Sequence, residues 1–312
     1  MNTRTLSLRR ALAALSAATL VLAGCADRAP EPAAPVSGGF PVTVTPPGGE
    51  PLTLERKPEK IVSLSPSATE ALYAVGAGEQ VVAVDDQSNY PKDVPRTKLS
   101  GLTPSPEQIA DYEPDLVVVS SDVDKLSAAL AEIDVPTLVL PDATTLTDAY
   151  AQFELVGEVT GHPDGGKDVA TRVKSEIAKI VRDTPKPAQP LSYYHELDQT
   201  LYTATSATFV GEVYGLFGLR NIADGDDPKA NGGYPQLSAE KVIDANPDLI
   251  FLADAKCCGQ TYDTVRKRPG WDTLTAVKQQ HVFPLDDDIA SRWSPRIVDL
   301  VRDVADAVEA AG

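Results

Sequence analysis

Short apolar runs rich in β-branched residues recur along the chain at Lys60–Leu64, Val81–Val84, Leu116–Val119, Thr137–Leu140, Ser192–His195, Leu249–Leu252 and Val282–Leu285. Runs of this kind, bounded by turn residues, read as β-strands. Segments of helical spacing separate them: Ala68–Val75, Pro106–Tyr112, Leu126–Ile133, Leu146–Thr160, Thr208–Phe217, Ala239–Asn246 and Pro295–Ala310. A hairpin-like opening, Phe40–Thr45 and Pro51–Leu54 around Pro46-Pro47-Gly48-Gly49, precedes the first run. Strand and helix in alternation predict an α/β protein. Residues 163–183 break the rhythm, with Val169, Val173, Ile177 and Ile180 or Val181 on one stripe of a single long helix between Pro163 and Pro185.

The chain also resembles itself. Residues 105–119 (SPEQIADYEPDLVVV) and 238–252 (SAEKVIDANPDLIFL) align without a gap and match at six of fifteen positions. In both, a serine caps a helix, a glutamate lies in its first turn and Pro-Asp breaks into a strand. The predicted fold is therefore two α/β lobes with central parallel sheets, 40–162 and 185–312, joined by one long α-helix at 163–184.

The amino terminus has another pattern. Arg4, Arg9 and Arg10 precede an apolar stretch from Ala11 to Ala23. As a helix it reaches about 20 Å, short of a ~30 Å bilayer core, so residues 1–24 read as a cleaved signal peptide. Leu22-Ala23-Gly24-Cys25 resembles the bacterial lipobox, which makes Cys25 the expected lipidated amino terminus and residues 25–39, rich in Ala and Pro, a flexible tether. The expected location is the extracytoplasmic face of the cell membrane, held by acyl chains.

Charge narrows the partners. The chain carries a formal charge of −17, and without the three leader arginines 25 basic residues face 45 acidic ones, a charge of −20. Such a surface repels phosphate backbones and anionic lipid, so no nucleic acid partner is expected. Three Cys and three His do not furnish a disulfide scaffold or several zinc sites. No Gly-x-Ser-x-Gly elbow, phosphate-binding glycine loop or His-Glu-x-x-His is present, so neither catalysis nor a resident cofactor is expected. His195, followed by Glu196 and Asp198, reads as a metal ligand, a cleft-lining group or a packed core histidine; a metal site is not expected. Cys257 and Cys258 read equally as a vicinal disulfide or as two small buried thiols.

Residues 58–310 resemble the helix-bridged class of periplasmic binding proteins, receptors that feed vitamin B12, haem and ferric siderophores to ABC importers. The resemblance is carried by Ile61-Val-Ser-Leu-Ser-Pro-Ser67 with Glu70, Asn89-Tyr90-Pro91, the paired glutamate segments and Ser294-Pro295-Arg296. It implies a non-enzymatic, monomeric receptor whose Glu107 and Glu240 dock onto a permease, one per lobe. Within the class the cobalamin receptors are most similar, which implies that Asp288 and Arg292 face corrin amides and that Tyr90 and Tyr234 pack on the macrocycle. Ser65, Ser67, Gln87, His195 and Tyr202 complete the implied ligand site. The bland reading of Asp288 and Arg292 is a surface ion pair. The chain departs from the family at Ser100-Gly101-Leu102-Thr103, where a tryptophan is expected, and at Gln87, where an aromatic is expected. The implied ligand is a corrinoid, with a ferric siderophore or haem as the alternative.

Overall fold

The structure, a computed structural model, describes residues 39–225 and 228–312. The expected leader and the lipid site at Cys25 lie outside the described residues. A short antiparallel ribbon, β1 (Val42–Val44) with β2 (Leu52–Leu54), opens the fold. The first lobe holds four parallel strands, β3 (Ile61–Leu64), β4 (Val81–Val84), β5 (Leu116–Val119) and β6 (Thr137–Val139), in the order β4-β3-β5-β6. The second holds β7 (Ser192–Glu196), β8 (Arg220–Asn221), β9 (Leu249–Leu252) and β10 (Val282–Pro284) in the order β10-β9-β7-β8. Numbered within its own lobe, each sheet reads 2-1-3-4, so the sequence repeat is also a repeat of topology.

The register shows what the repeated residues do. Leu116 pairs with Ile61 in one lobe and Leu249 with Tyr193 in the other. The aspartate before each leucine clamps the lobe's first strand: Asp115 accepts from the Glu59 and Lys60 amides at 3.0–3.1 Å, and Asp248 from the Ser192 amide at 2.7 Å. Ser105 and Ser238 cap their helices by accepting from the Gln108 and Lys241 amides at 3.3 and 3.2 Å. Cap, aspartate and leucine thus have structural work in both lobes.

Helices α1 (Pro66–Ala74), α2 (Pro106–Ala110), α3 (Leu126–Ala131) and α4 (Leu146–Val159) complete the first lobe, and α5 (Pro163–Asp183) runs on to the second. There α6 (Phe209–Gly215), α7 (Ala239–Ala245), α8 (Ala255–Cys258), α9 (Tyr262–Val265), α10 (Thr275–Lys278), α11 (Asp287–Ala290) and α12 (Ile297–Ala311) follow. At 1.5 Å per residue the 21 residues of α5 span about 31 Å. Its apolar stripe, Val169, Ala170, Val173 and Ile177, is buried. α4 crosses α5 closely because both contribute glycine: a Cβ on Gly157 would lie 2.8 Å from the Gly166 Cα.

Beyond the connecting helix, packing also joins the lobes. One apolar cluster runs from Leu72 and Phe153 through Val173 to Tyr193, Tyr214 and Val301, with a smaller cluster under the outer face of each sheet. Among the described residues no helix is long and apolar enough to cross a membrane.

Candidate functional site

In sheets of this order the loops at the strands' carboxyl ends near the topological switch form the binding crevice. Those loops carry Ser65–Ser67 and residues 85–103 and 140–145 in the first lobe, and 197–208, 222–236, 253–260 and 285–292 in the second. Where they meet, a buried charged network ties lobe to lobe. Glu70 of α1 is 3% exposed. Its carboxylate accepts from Arg292 Nη1 at 2.9 Å, Arg296 Nε at 2.7 Å and Arg296 Nη2 at 2.5 Å. Arg292, 7% exposed, also donates to Asn89 Oδ1 (2.8 Å), the Gln87 carbonyl (3.2 Å) and Asp288 Oδ1 (2.7 Å). Asp288 accepts from Asn89 Nδ2 at 2.9 Å and pairs with Lys256. Burial alone would raise the Asp288 carboxyl, but Lys256, Asn89 and Arg292 together hold it below the usual carboxylate range.

This geometry revises two expectations. Asp288 and Arg292 do pair, yet neither as an exposed ion pair nor with the arginine turned to a ligand: both Arg292 terminal nitrogens are spent on protein acceptors. His195 is wholly buried, its Nδ1 2.7 Å from the Tyr214 hydroxyl and its Nε2 without a partner. Burial depresses its pKa to about 4, so it is a neutral core histidine and lines neither a cleft nor a metal site. Strand β7 is covered on both faces, which turns every one of its side chains inward.

The remaining predicted residues divide by role. Ser65 caps α1 through the Ala68 amide (3.3 Å), and Ser67 is buried beside it. Gln87 offers its backbone carbonyl to Arg292 and leaves its side chain exposed. Arg296 stacks over the Tyr90 ring at 4.2 Å. Residues 201–205 and 233–237 run antiparallel, with Thr203 donating to Pro235 and Thr205 to Gly233. Tyr202 lies opposite Gln236, so Tyr202 and Tyr234 fall as diagonal neighbours on one face, 43% and 47% exposed. Burial and the charge of Asp142, across in the first lobe, raise the Tyr234 phenol.

A cavity of about 780 Å³ is lined by Thr144 and Thr145 from one lobe and by Ser206, Thr208, Glu212, Lys229 and Gly232 from the other. The Leu146 amide donates to Glu212 Oε2 at 2.6 Å beneath it, a second tie between lobes. Trp293 Nε1 donates to Gln152 Oε1 at 3.1 Å, a third. At the rim Leu102 is 82% exposed on a turn fixed by Ser100 Oγ, which accepts from the Leu102 and Thr103 amides at 3.2 and 3.1 Å. Glu107 and Glu240 are exposed in the first turns of α2 and α7, one per lobe. Ser105 donates to Glu107 Oε2 at 2.9 Å, and hydrogen bonds from that helix start lower the Glu107 pKa.

Cys257 and Cys258 are exposed with their sulfurs paired, so the alternative of two buried thiols does not hold. Sequence reasoning missed Asn89, Lys256, Glu212 and Arg296 as partners, and a second buried cluster altogether. There Arg268 grips the fully buried Glu196 with two bonds of 2.5 and 2.6 Å, while Asp254, equally buried, has no partner on either oxygen. Burial, reinforced by Glu196, pushes the Asp254 pKa up to about 7. One signal was available: Glu70 lies among Ala68, Ala71 and Leu72 on the buried side of α1, and an acid there requires a cation. Among the described residues no group of three or more His, Cys, Asp or Glu is arranged to hold a metal ion.

Two like lobes bridged by one helix, with a crevice at their sheets' carboxyl ends, are the architecture of a bilobal solute receptor. The profile of the periplasmic binding protein family matches residues 61–289, and the chain belongs to that family, whose members are transport components. It is 30% identical over 308 residues to an uncharacterized ABC transporter substrate-binding lipoprotein, YvrC, of Bacillus subtilis, covering 95% of each chain. It is 28% identical over 253 residues to the vitamin B12-binding protein of Vibrio cholerae, covering 79% of this chain and 87% of that protein. Among solved structures, the periplasmic vitamin B12-binding protein BtuF of Vibrio cholerae matches with a TM-score of 0.67 at 27% identity, over 81% of this chain and 98% of that one. The periplasmic haem-binding protein RhuT of Roseiflexus sp. RS-1, in its apo form, matches with a TM-score of 0.71 at 26% identity, over 81% and 99%. The chain is accordingly the substrate-binding protein of an ABC transporter, with a small-molecule ligand and a permease as its partners.

Proposed function

We propose that this receptor is lipid-anchored through Cys25 on the extracytoplasmic face of the membrane and captures a corrinoid between its lobes; relatives it resembles are named vitamin B12-binding and cobalamin-binding proteins. The observation that carries the reading is the chemistry of the cleft. Tyr202 and Tyr234 present exposed rings on one face, and a cavity lined by both lobes is mostly uncharged, Thr144, Ser206, Ala207, Leu216 and Gly232 among its lining, with Glu212 and Lys229 as its charged residues. Flat aromatic faces and a largely uncharged lining suit a large macrocycle fringed with amides. A ferric siderophore of high negative charge calls for free arginines. Arg268, Arg292 and Arg296 are each bound to buried carboxylates.

A haem reading is favoured by one observation, the exposed phenols of Tyr202 and Tyr234, since tyrosinate is a haem iron ligand. The histidines do not support it. His195 is in the core, His162 bonds Gln80 and Lys57 at the start of α5, and His281 precedes β10 at the sheet's other end. Glu107 and Glu240 are the proposed permease contacts: their helices start on the cleft side of each lobe, and folding leaves both carboxylates exposed. Calorimetry with cyanocobalamin, haemin and a ferric siderophore tests the assignment. Saturable binding of cyanocobalamin alone is expected; heat from haemin or the siderophore with none from cyanocobalamin overturns it.

A further inference from the structure

The sulfur pair lies at the carboxyl end of the second sheet. α8, which carries it, follows β9 at the sheet's carboxyl end and is pinned to α11. The Lys256 and Cys257 amides donate to the two carboxylate oxygens of Asp287 at 2.9 and 2.6 Å. The Lys256 ammonium grips Asp288, which in turn holds Asn89 and Arg292. The disulfide is thus one residue removed from the network that joins the lobes.

The capping of this turn is unusual. Asp254 stands at the N-cap, where its carboxylate would ordinarily accept from the Cys257 amide. Asp287 takes that amide instead, and Asp254 is left fully buried with neither oxygen bonded. The turn therefore has two acceptors available for one set of amides, one remote and in use, one local and idle. Ring closure between adjacent cysteines restricts the backbone at residues 257 and 258, and opening it removes that restriction.

We propose that Cys257–Cys258 is a reducible site beside the inter-lobe network, where opening by an external dithiol shifts the turn from Asp287 to Asp254 capping and lowers ligand affinity. In the exchange a thiolate of the donor attacks one exposed sulfur and forms a mixed disulfide. The donor's second thiolate then displaces it, so that two electrons and two protons pass to Cys257 and Cys258 and the donor leaves as its own disulfide. Once freed from the α8 amides, Asp287 no longer anchors Lys256 beside Asp288, and the chain loosens at residues 286–293. The effect on affinity rests on the cleft being the ligand site; the change at 286–293 does not.

The test uses the full lipidated chain in detergent, titrated with dithiothreitol, alkylated with iodoacetamide and analysed by peptide mass. Two carbamidomethyl groups are expected, on Cys257 and Cys258, at dithiol concentrations that leave circular dichroism unchanged. Hydrogen exchange at 286–293 should then quicken, and the Kd for cyanocobalamin should rise about fivefold or more. Cys257→Ser with Cys258→Ser should reproduce the reduced state without a reductant. Alkylation only after unfolding overturns the proposal, and so does alkylation with unchanged exchange at 286–293. If the oxidised protein binds no cyanocobalamin, the corrinoid reading fails, while the exchange result still decides the redox site.

Discussion

Replacing Glu70 with glutamine removes one negative charge from the centre of the inter-lobe network and keeps its shape. The wild-type carboxylate takes three N–H bonds from Arg292 and Arg296 at 2.5–2.9 Å. In Glu70→Gln the two guanidiniums are left with Asp288 as their one carboxylate, which Lys256 already grips. The new amide also points donors at donors. Removing one partner of a buried pair costs roughly 3–5 kcal/mol. Arg296 retains 16% exposure and its Tyr90 ring, which relieves part of this, so the expected loss is about 3 kcal/mol. With a urea m-value of 1–3 kcal/mol/M, the midpoint should fall by roughly 1 M or more. Circular dichroism reports the whole fold, and Trp293, bonded to Gln152 across the lobes, reports the interface by fluorescence. A cycle with Arg296→Gln should give a coupling energy of about 1–3 kcal/mol, because the two residues share one bonded network. A loss below about 1 kcal/mol with no coupling would show that the network contributes little beyond its desolvation cost, and the reasoning would fail.

Four further outcomes are expected. Asp254 has a folded pKa of about 7, above its unfolded value, so its penalty is absent at low pH and grows as pH rises through 4 to 7; Asp254→Asn should therefore gain about 1–2 kcal/mol in urea unfolding at pH 8 and nothing at pH 4. Glu107→Ala and Glu240→Ala should each lower transport while calorimetry finds ligand affinity unchanged; loss of binding would put them in the site. Tyr234→Ala should weaken capture about tenfold and Tyr234→Phe hardly at all for a corrinoid, whereas loss of a haem absorption band in Tyr234→Phe would mark an axial ligand. Cys25→Ala should abolish metabolic labelling by a fatty acid and release the protein from the membrane.

The sheet strands were legible because parallel strands covered on both faces leave unbroken apolar runs, as at Leu116–Val119 and Leu249–Leu252. The paired segments announced the duplicated topology because their aspartates and caps are needed wherever that strand-helix join is built. β8, only Arg220–Asn221, has no apolar run, and α8 to α11 are single turns too short to show a helical period. The charged network was illegible for a different reason. Glu70 and Arg292 are 222 residues apart, and an ion pair leaves no periodicity in sequence. Resemblance brought Asp288 and Arg292 forward but assigned them to the ligand, since it carries position and not the partner that packing supplies. His195 misled because its acidic neighbours suggested chemistry, while its place in a doubly covered strand decided for burial.

The way the lobes are joined bears on how such a receptor signals that it is loaded. A hinge protein reports its ligand by closing, but here an apolar cluster continues through α4, α5 and α12 beneath the cleft, and three polar ties cross it at Glu70, Glu212 and Trp293. Wide opening would expose that cluster and strand Arg292, each at a cost of several kcal/mol, so floor and spine hold the lobes near one separation. What a ligand can reorganise is the rim: the Tyr202–Tyr234 ribbon, the Leu102 turn and the α8 turn, none of which belongs to the shared cluster. A permease docked on Glu107 and Glu240, as proposed above, would then find the same two anchors on empty and loaded receptor alike. On that proposal, discrimination between the two falls to rim groups between the anchors, and the docking carboxylates fix orientation.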